Sequence, residues 1–142
     1  LMHLLTKIYD LPWRMARELT EQVTSYTNHT VLSEALEQWD ESLMEYLLPR
    51  QNKIIQRLNQ ELCDSVIQKF PGQEDKVRRI SIIFDSKVRM ANLCIAGSHA
   101  VNGVAAIHTE ILKSSVFKDF YEIYPKKFIN ITNGVTQRRW LL

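Results

Sequence analysis

The sequence holds few residues that interrupt regular structure, with four glycines and four prolines among 142 positions. It has no stretch rich in Pro, Gly or Ser, no internal repeat and no low-complexity tract, so nothing in it reads as a linker between domains. Cysteine is scarce too. Cys63 and Cys94 sit among apolar neighbours without a Cys-x-x-Cys, and read as buried free thiols in a reducing compartment. Charge of one sign is lacking: eighteen basic and sixteen acidic residues leave a net +2. A nucleic-acid or anionic-membrane surface carries a stronger basic bias. No apolar run approaches the roughly 20 residues that cross a bilayer. The opening LMHLLTKIYDLPW has neither a basic lead nor a small-residue cleavage site, so no signal peptide is expected and the reading is cytoplasmic. His3, His29, His99 and His108 are too scattered for a metal motif. Neither a Gly-x-Ser-x-Gly elbow nor a Walker loop is present.

What is present is an ordinary globular composition, 45% hydrophobic and 24% charged. A chain of this length is the size of one domain and can bury about two-thirds of the surface its unfolded form exposes.

Asp10 and Pro12 mark a helix start, with Trp13, Ala16, Leu19 and Val23 on one face. Thr24 to Val31 turns polar and β-branched and predicts a short extended segment ending in a loop. Ser33 is placed to cap a short helix, Glu34 to Trp39, and Asp40 the next. From Asp40 to Phe70, Leu43, Leu47, Ile54, Ile55, Leu58, Leu62, Val66, Ile67 and Phe70 recur at helical steps. Proline costs a helix interior about 3 kcal/mol, so Pro49 predicts a break near Leu48, and Pro71-Gly72 ends the run. Beyond a charged helix, Glu74 to Arg79, ISIIF (80–84) predicts a strand, Asp85-Ser86 a turn, and KVRMANLCIAG (87–97) a second extended run. A helical stretch follows Gly97-Ser98-His99, with Val101, Val104, Ile107, Ile111 and Leu112 apolar. Ser114 or Ser115 is placed to cap FKDFYEIY, which Pro125 closes. FINIT (128–132) predicts a third strand ending at Asn133-Gly134, and Thr136 caps a last turn, QRRWLL. This alternation is α/β and helix-rich. Its helices exceed what three short strands can use, as expected of a piece of something larger.

Several segments carry chemistry that spacing alone leaves open. Gly97-Ser98-His99-Ala100-Val101-Asn102-Gly103 reads as a strand end leading into a helix start. It reads as a tight turn whose glycines let helix and strand pack, ahead of a site for an anion or polar ligand. Tyr26-Thr27-Asn28-His29-Thr30 offers five hydrogen-bonding side chains, suited to a sugar hydroxyl or to an ordinary surface loop. Thr132-Asn133-Gly134 is a strand-end turn or an asparagine amide on display. Arg138-Arg139-Trp140 fits a phosphate or flat-ring contact, or a solvated helix face.

Taken in series, YTNHTVLSEALEQW, LLPR, MANLCIAGSHAVNGVAAIHTEIL, FKDFYEIYPKKF and TNGVTQRRWL resemble the α-glucan phosphorylases that act on glycogen, starch or maltodextrin. The resemblance covers nearly the whole chain and is looser from Gln51 to Arg89. It implies a Rossmann-like N-terminal domain of a GT-B glycosyltransferase, with residues 1–142 forming its last part up to the interdomain hinge. It also implies a dependence on pyridoxal phosphate, an α-1,4-glucan and phosphate as substrates, a C-terminal domain of the same protein as partner, and a parent that is a homodimer. Neither nucleic acid nor membrane is an expected partner.

Residue by residue, the resemblance makes His29 the histidine that hydrogen-bonds the 6-hydroxyl of the transferred glucose. Asn133 contacts the same sugar from the other side, and Val104, at the start of the helix after GSHAVNG, is an apolar wall. Trp140 lies near the cofactor. Gly97, His99 and Asn102 belong to a site-shaping loop. No catalytic residue is expected in the chain, because the family's Schiff-base lysine and phosphate-holding residues lie in its C-terminal domain. Ala106 stands where arginine is common, Asn92 where histidine is, and Gln137 where proline is. The expected function is thus a segment of a glucan phosphorylase releasing glucose 1-phosphate, itself inactive. The rival expectation is a non-catalytic interaction or carbohydrate-binding module of the same descent.

Overall fold

The structure is a computed structural model, and it describes residues 1–141. Leu142, the end of the expected last turn, lies outside the described residues. Helix α1 (Met2–Lys7) and helix α2 (Trp13–Val23) open the chain, with α2 starting just after Pro12, where the sequence predicts a helix start. Strand β1 (Ser25–Thr27) follows. The helix expected from Glu34 to Trp39 does not form. Ser33–Ala35 makes one 3₁₀ turn, and Gln38–Asp40 becomes strand β2. Glu41–Leu47 is helix α3 and Pro49–Lys69 is helix α4, broken at Leu48 with Pro49 in the first turn of α4, where its missing N–H costs nothing. Asp40 precedes α3 as expected, yet its carboxylate pairs with Lys87 Nζ at 2.6 Å instead of capping.

Helix α5 (Glu74–Ile80) leads to strand β3 (Ile83–Phe84) and strand β4 (Lys87–Arg89). Asp85 and Ser86 join the two strands with φ of 51° and 57°, the pair of positive values that a tight twisted hairpin turn demands. The extended run expected to continue to Gly97 stops at Arg89, and Met90–Gly97 is helix α6. Ala91, Asn92, Ile95 and Ala96 are all buried there, so the helix is apolar around most of its circumference and shows no period to read. Ala100–Gly103 is strand β5, not the beginning of a helix. Helix α7 (Ala106–Ile111) then runs through a π-helical segment, Leu112–Val116, to helix α8 (Lys118–Ile123). Strand β6 (Phe128–Asn130) and helix α9 (Gln137–Trp140) finish the described chain.

The six strands form two sheets. One is antiparallel, β2-β4-β3. The other is fully parallel in the order β1-β5-β6, pairing Thr27 with Asn102 and Gly103 with Asn130. Parallel strands need crossovers covered by helices; α6 packs on β1, and α7 on β5 and β6. Leu62, Val66, Ile80, Ile82, Val88, Ile95, Val101 and Leu112 form the fully buried centre. Tyr121 meets Phe128 edge-on at 5.7 Å. Asn59 of α4 accepts the backbone N–H of Ile82 at 2.8 Å and of Ile83 at 3.2 Å, which ties the longest helix to β3. The architecture is therefore helix-rich α/β, as expected, with a parallel sheet whose three strand exits face the same way.

Candidate functional site at the carboxyl edge of the parallel sheet

In open α/β sheets, ligands collect at the carboxyl ends of the strands. Here three such ends lie side by side, and each is followed by a residue singled out in the sequence. After β1 comes Asn28, whose N–H donates to the Asn102 carbonyl at 2.9 Å and prolongs the pairing. The Asn28 side chain, 1% exposed, is spent locally: Nδ2 donates to the Tyr26 hydroxyl at 3.1 Å, and Oδ1 accepts the Thr30 N–H at 3.0 Å. That Asx turn leaves the intervening His29 exposed at the strand exit. After β5 comes half-buried Val104. After β6 the chain continues alongside β5. Ile131 N–H donates to the Gly103 carbonyl at 3.2 Å, and Asn133 N–H to the Val104 carbonyl at 2.9 Å.

Strands lie about 4.8 Å apart, so the turns after β1 and β6 stand about 10 Å from each other with Val104 between them. That spacing suits a monosaccharide-sized ligand. His29 and Asn133 are exposed, one on each flank. A neutral imidazole offers one donor and one acceptor, and an amide offers both. The edge therefore presents two exposed polar side chains on either side of a half-buried valine.

The backbone beneath is held by side chains. Asn102, 7% exposed, accepts the Thr27 hydroxyl at 2.8 Å and donates to the Gly103 carbonyl at 3.1 Å. Thr109 Oγ1 donates to the Ala105 carbonyl at 2.9 Å and lies 3.0 Å from the Asn130 side-chain amide. A hydroxyl has one proton, so the two contacts are compatible when the Asn130 NH₂ donates to Thr109. Its carbonyl end then accepts from the Thr132 hydroxyl, 3.2 Å away. Gly103 is required by close approach: a Cβ there meets Thr109 Oγ1 at 2.4 Å, and His108 Nδ1 and Thr109 Cα at 2.9 Å. Burial pushes the Tyr26 phenol above its ordinary value, against the opposing hydrogen bond from Asn28.

The residues expected to act together divide. His29, Val104 and Asn133 stand at neighbouring strand exits, and Asn102 lies one residue before the exit of β5. Gly97 and His99 do not join them. The segment 97–103 runs from the end of α6 into a strand, so it offers no helix N-terminus to an anion. Gly97 and His99 precede β5, at the opposite end of the sheet. Both His99 N–H, at 3.1 Å, and its Nδ1, at 2.7 Å, point to the Thr24 carbonyl. Val104 itself sits in a bend two residues before α7 begins. Trp140 is 76% exposed on α9.

A groove of about 960 Å³ lies elsewhere, lined by Phe70, Lys76, Arg79, Phe84, Arg89 and Phe117 among others. Its charges are largely satisfied. Lys76 pairs with Glu122 at 2.5 Å, and Arg79 makes two hydrogen bonds to Asp119. Lys118, also in its lining, is exposed. No group of three potential metal ligands occurs among the described residues.

A lysine-bound cofactor needs a lysine at the strand edge, and residues 28–36, 103–111 and 131–141 contain none. Lys127 is committed to Glu21 at 2.7 Å and to the Ile95 carbonyl. The residues present do not make an attachment site for pyridoxal phosphate.

Asn28 and Gly103 fall inside segments the sequence singles out, 26–30 and 97–103, although as ligand or loop residues and not as supports of the edge. His108, Thr109 and Asn130 gave no signal as builders of the edge.

The carbohydrate phosphorylase family model matches residues 1–142. The chain is 54% identical over 145 aligned residues to the brain forms of glycogen phosphorylase from Rattus norvegicus and Homo sapiens. It is also 54% identical to the muscle form from Oryctolagus cuniculus. In each case all of this chain is covered, and it spans about 17% of the relative's length. The match over all 142 residues places this chain in the carbohydrate phosphorylase family.

Proposed function

We propose that the chain is a segment of a glucan phosphorylase and supplies one side of its glucose subsite. The observation that carries this reading is the convergence of His29, Val104 and Asn133 on three adjacent parallel strand exits. In this reading the His29 ring hydrogen-bonds the 6-hydroxyl of the transferred glucose. The Asn133 amide meets the sugar from the opposite flank, and Val104 packs against its apolar face. Asn28 and Asn102 hold these turns rigid, so little ordering entropy is lost on binding.

Residues 1–142 form the end of the N-terminal, Rossmann-like half of a GT-B enzyme. The C-terminal half contributes the cofactor lysine and the groups that hold phosphate. Exposed Ile131, Val135, Trp140 and Leu141 support a second domain closing on this edge. Trp140 is then a wall beside pyridoxal phosphate, whose 5′-phosphate supplies a proton relay to the phosphate substrate when bound. The parent is a cytoplasmic homodimer that takes an α-1,4-glucan and phosphate and releases glucose 1-phosphate, with no nucleic-acid partner.

The test is steady-state kinetics on the full-length protein. A buried hydrogen bond lost to a sugar is worth about 1–3 kcal/mol, so His29→Ala and Asn133→Ala each lower kcat/KM by about 5- to 150-fold. Residues 1–142 alone form no glucose 1-phosphate. Full activity in either variant, or turnover by the isolated segment, overturns the proposal.

A further inference from the structure

We infer that His108 is a positioning residue for the sugar-contacting turns, an inference that rests on the proposed roles of Val104 and Asn133. Three observations meet at its ring. First, the Val104 N–H donates to His108 Nδ1 at 3.0 Å. That nitrogen must therefore keep its lone pair, and the proton of the neutral ring sits on Nε2. Second, the space for the ring exists only because residue 103 is glycine, since a Cβ there lies 2.9 Å from Nδ1. Third, Nε2 is shut off from solvent and meets no partner among the described residues. A buried donor left unpaired costs stability, so the ring is retained at a cost, and the bond it makes in return is the one to Val104.

That bond reaches further than one residue. Val104 takes the His108 acceptor on its amide side. On its carbonyl side it accepts the Asn133 N–H at 2.9 Å. His108 thus fixes the β5 exit and, through it, the turn that displays Asn133. Thr109, the next residue of α7, does the same for β6 by way of Asn130. One turn of one helix holds both strand exits in register.

A ring that merely fills space predicts a different ranking of substitutions from a ring that holds Val104. In His108→Asn the side-chain oxygen falls near the position of Nδ1 and keeps the acceptor. In His108→Gln the volume is closer to histidine, but the polar group moves out toward Nε2 and the acceptor is lost. The experiment compares His108→Asn, His108→Gln and His108→Ala in the full-length protein, by kinetics with glucose 1-phosphate and glucan and by thermal unfolding.

Positioning predicts that Gln and Ala lower kcat/KM by about tenfold, chiefly in kcat, since an oriented contact made in the transition state is lost. KM for phosphate, read in the phosphorolysis direction, stays unchanged. Asn restores activity to within about threefold of the parent. Gln matching or exceeding Asn, or activity that simply follows the unfolding temperature across the three variants, overturns the inference. If Gln fails to fold, the same ranking is read from Asn against Ala. Asn133→Ala separates the layers. Impaired Asn133→Ala beside unimpaired His108→Gln overturns the role of His108 alone. Unimpaired Asn133→Ala overturns the reading of the subsite and the role of His108 with it.

Discussion

Gly103→Ala is the sharpest perturbation of the strand edge. The new methyl group lies 2.4 Å from Thr109 Oγ1 and 2.9 Å from Thr109 Cα. Ordinary contact begins at about 3.5 Å. Rotating the Thr109 side chain relieves the first overlap, but only by breaking its bonds to the Ala105 carbonyl and to Asn130. The second overlap is with backbone, so α7 must move away from β5. Overpacking of this kind costs about 1–3 kcal/mol. Because Gly103 does not adopt a left-handed conformation, alanine recovers about 0.4–1 kcal/mol by restricting the unfolded chain, leaving a net loss of up to about 2.5 kcal/mol. The displaced helix carries the acceptor for Val104 with it, and kcat/KM in the full-length protein falls by about tenfold or more. Gly97→Ala is the internal control. A Cβ there meets nothing within 4 Å, and Gly97 ends α6, ahead of the start of β5. The assay pairs glucose 1-phosphate kinetics with thermal unfolding for both variants. Gly103→Ala indistinguishable from the parent, or Gly97→Ala the more damaging of the two, refutes the reasoning.

Other consequences are local. Ser86 holds φ at 57°, strained for any residue with a Cβ, so Ser86→Gly stabilises the protein by about 0.5–1 kcal/mol and raises its unfolding midpoint; a lower midpoint contradicts the turn geometry. Burial pushes the thiols of Cys63 and Cys94 above their ordinary range, with Asp64 and Glu37 respectively adding to it. A raised value means less thiolate at pH 8, so both react with an alkylating reagent more slowly in the native protein than in denaturant, and the native rates keep climbing at pH values where a free thiol has levelled off. The same shifts favour the folded state below the unfolded thiol value and lose that advantage as pH rises through the native one.

Much of the fold was legible because it is local. Pro49 broke the long apolar run at Leu48, Pro71-Gly72 ended it, and Asp85-Ser86 turned the hairpin. Helix α6 was not legible, since a helix buried on nearly every side has no polar face, and its residues read equally as a strand. Residues 34–39 lost their expected helix to pairing: Gln38, Trp39 and Asp40 lie opposite Arg89, Val88 and Lys87. Such non-local partners override local propensity. The site divides the same way. His29 and Asn133 stood out as polar residues in motifs, but their neighbourhood depends on pairing Ser25 with Ala100 and Val101 with Phe128, contacts no window along the chain can contain. The supports Asn28 and Thr109 are ordinary polar residues whose importance comes from burial alone.

The most direct test of a glucose subsite at the strand edge pairs a substitution with a matching change in substrate. Glucose 1-phosphate and its 6-deoxy analogue are compared as glucosyl donors for the parent full-length protein and for His29→Ala. If the His29 ring hydrogen-bonds the 6-hydroxyl, each single change costs about 1–3 kcal/mol and the two together cost little more than one. Equal slowing of both donors by His29→Ala, or no slowing of either, contradicts the account.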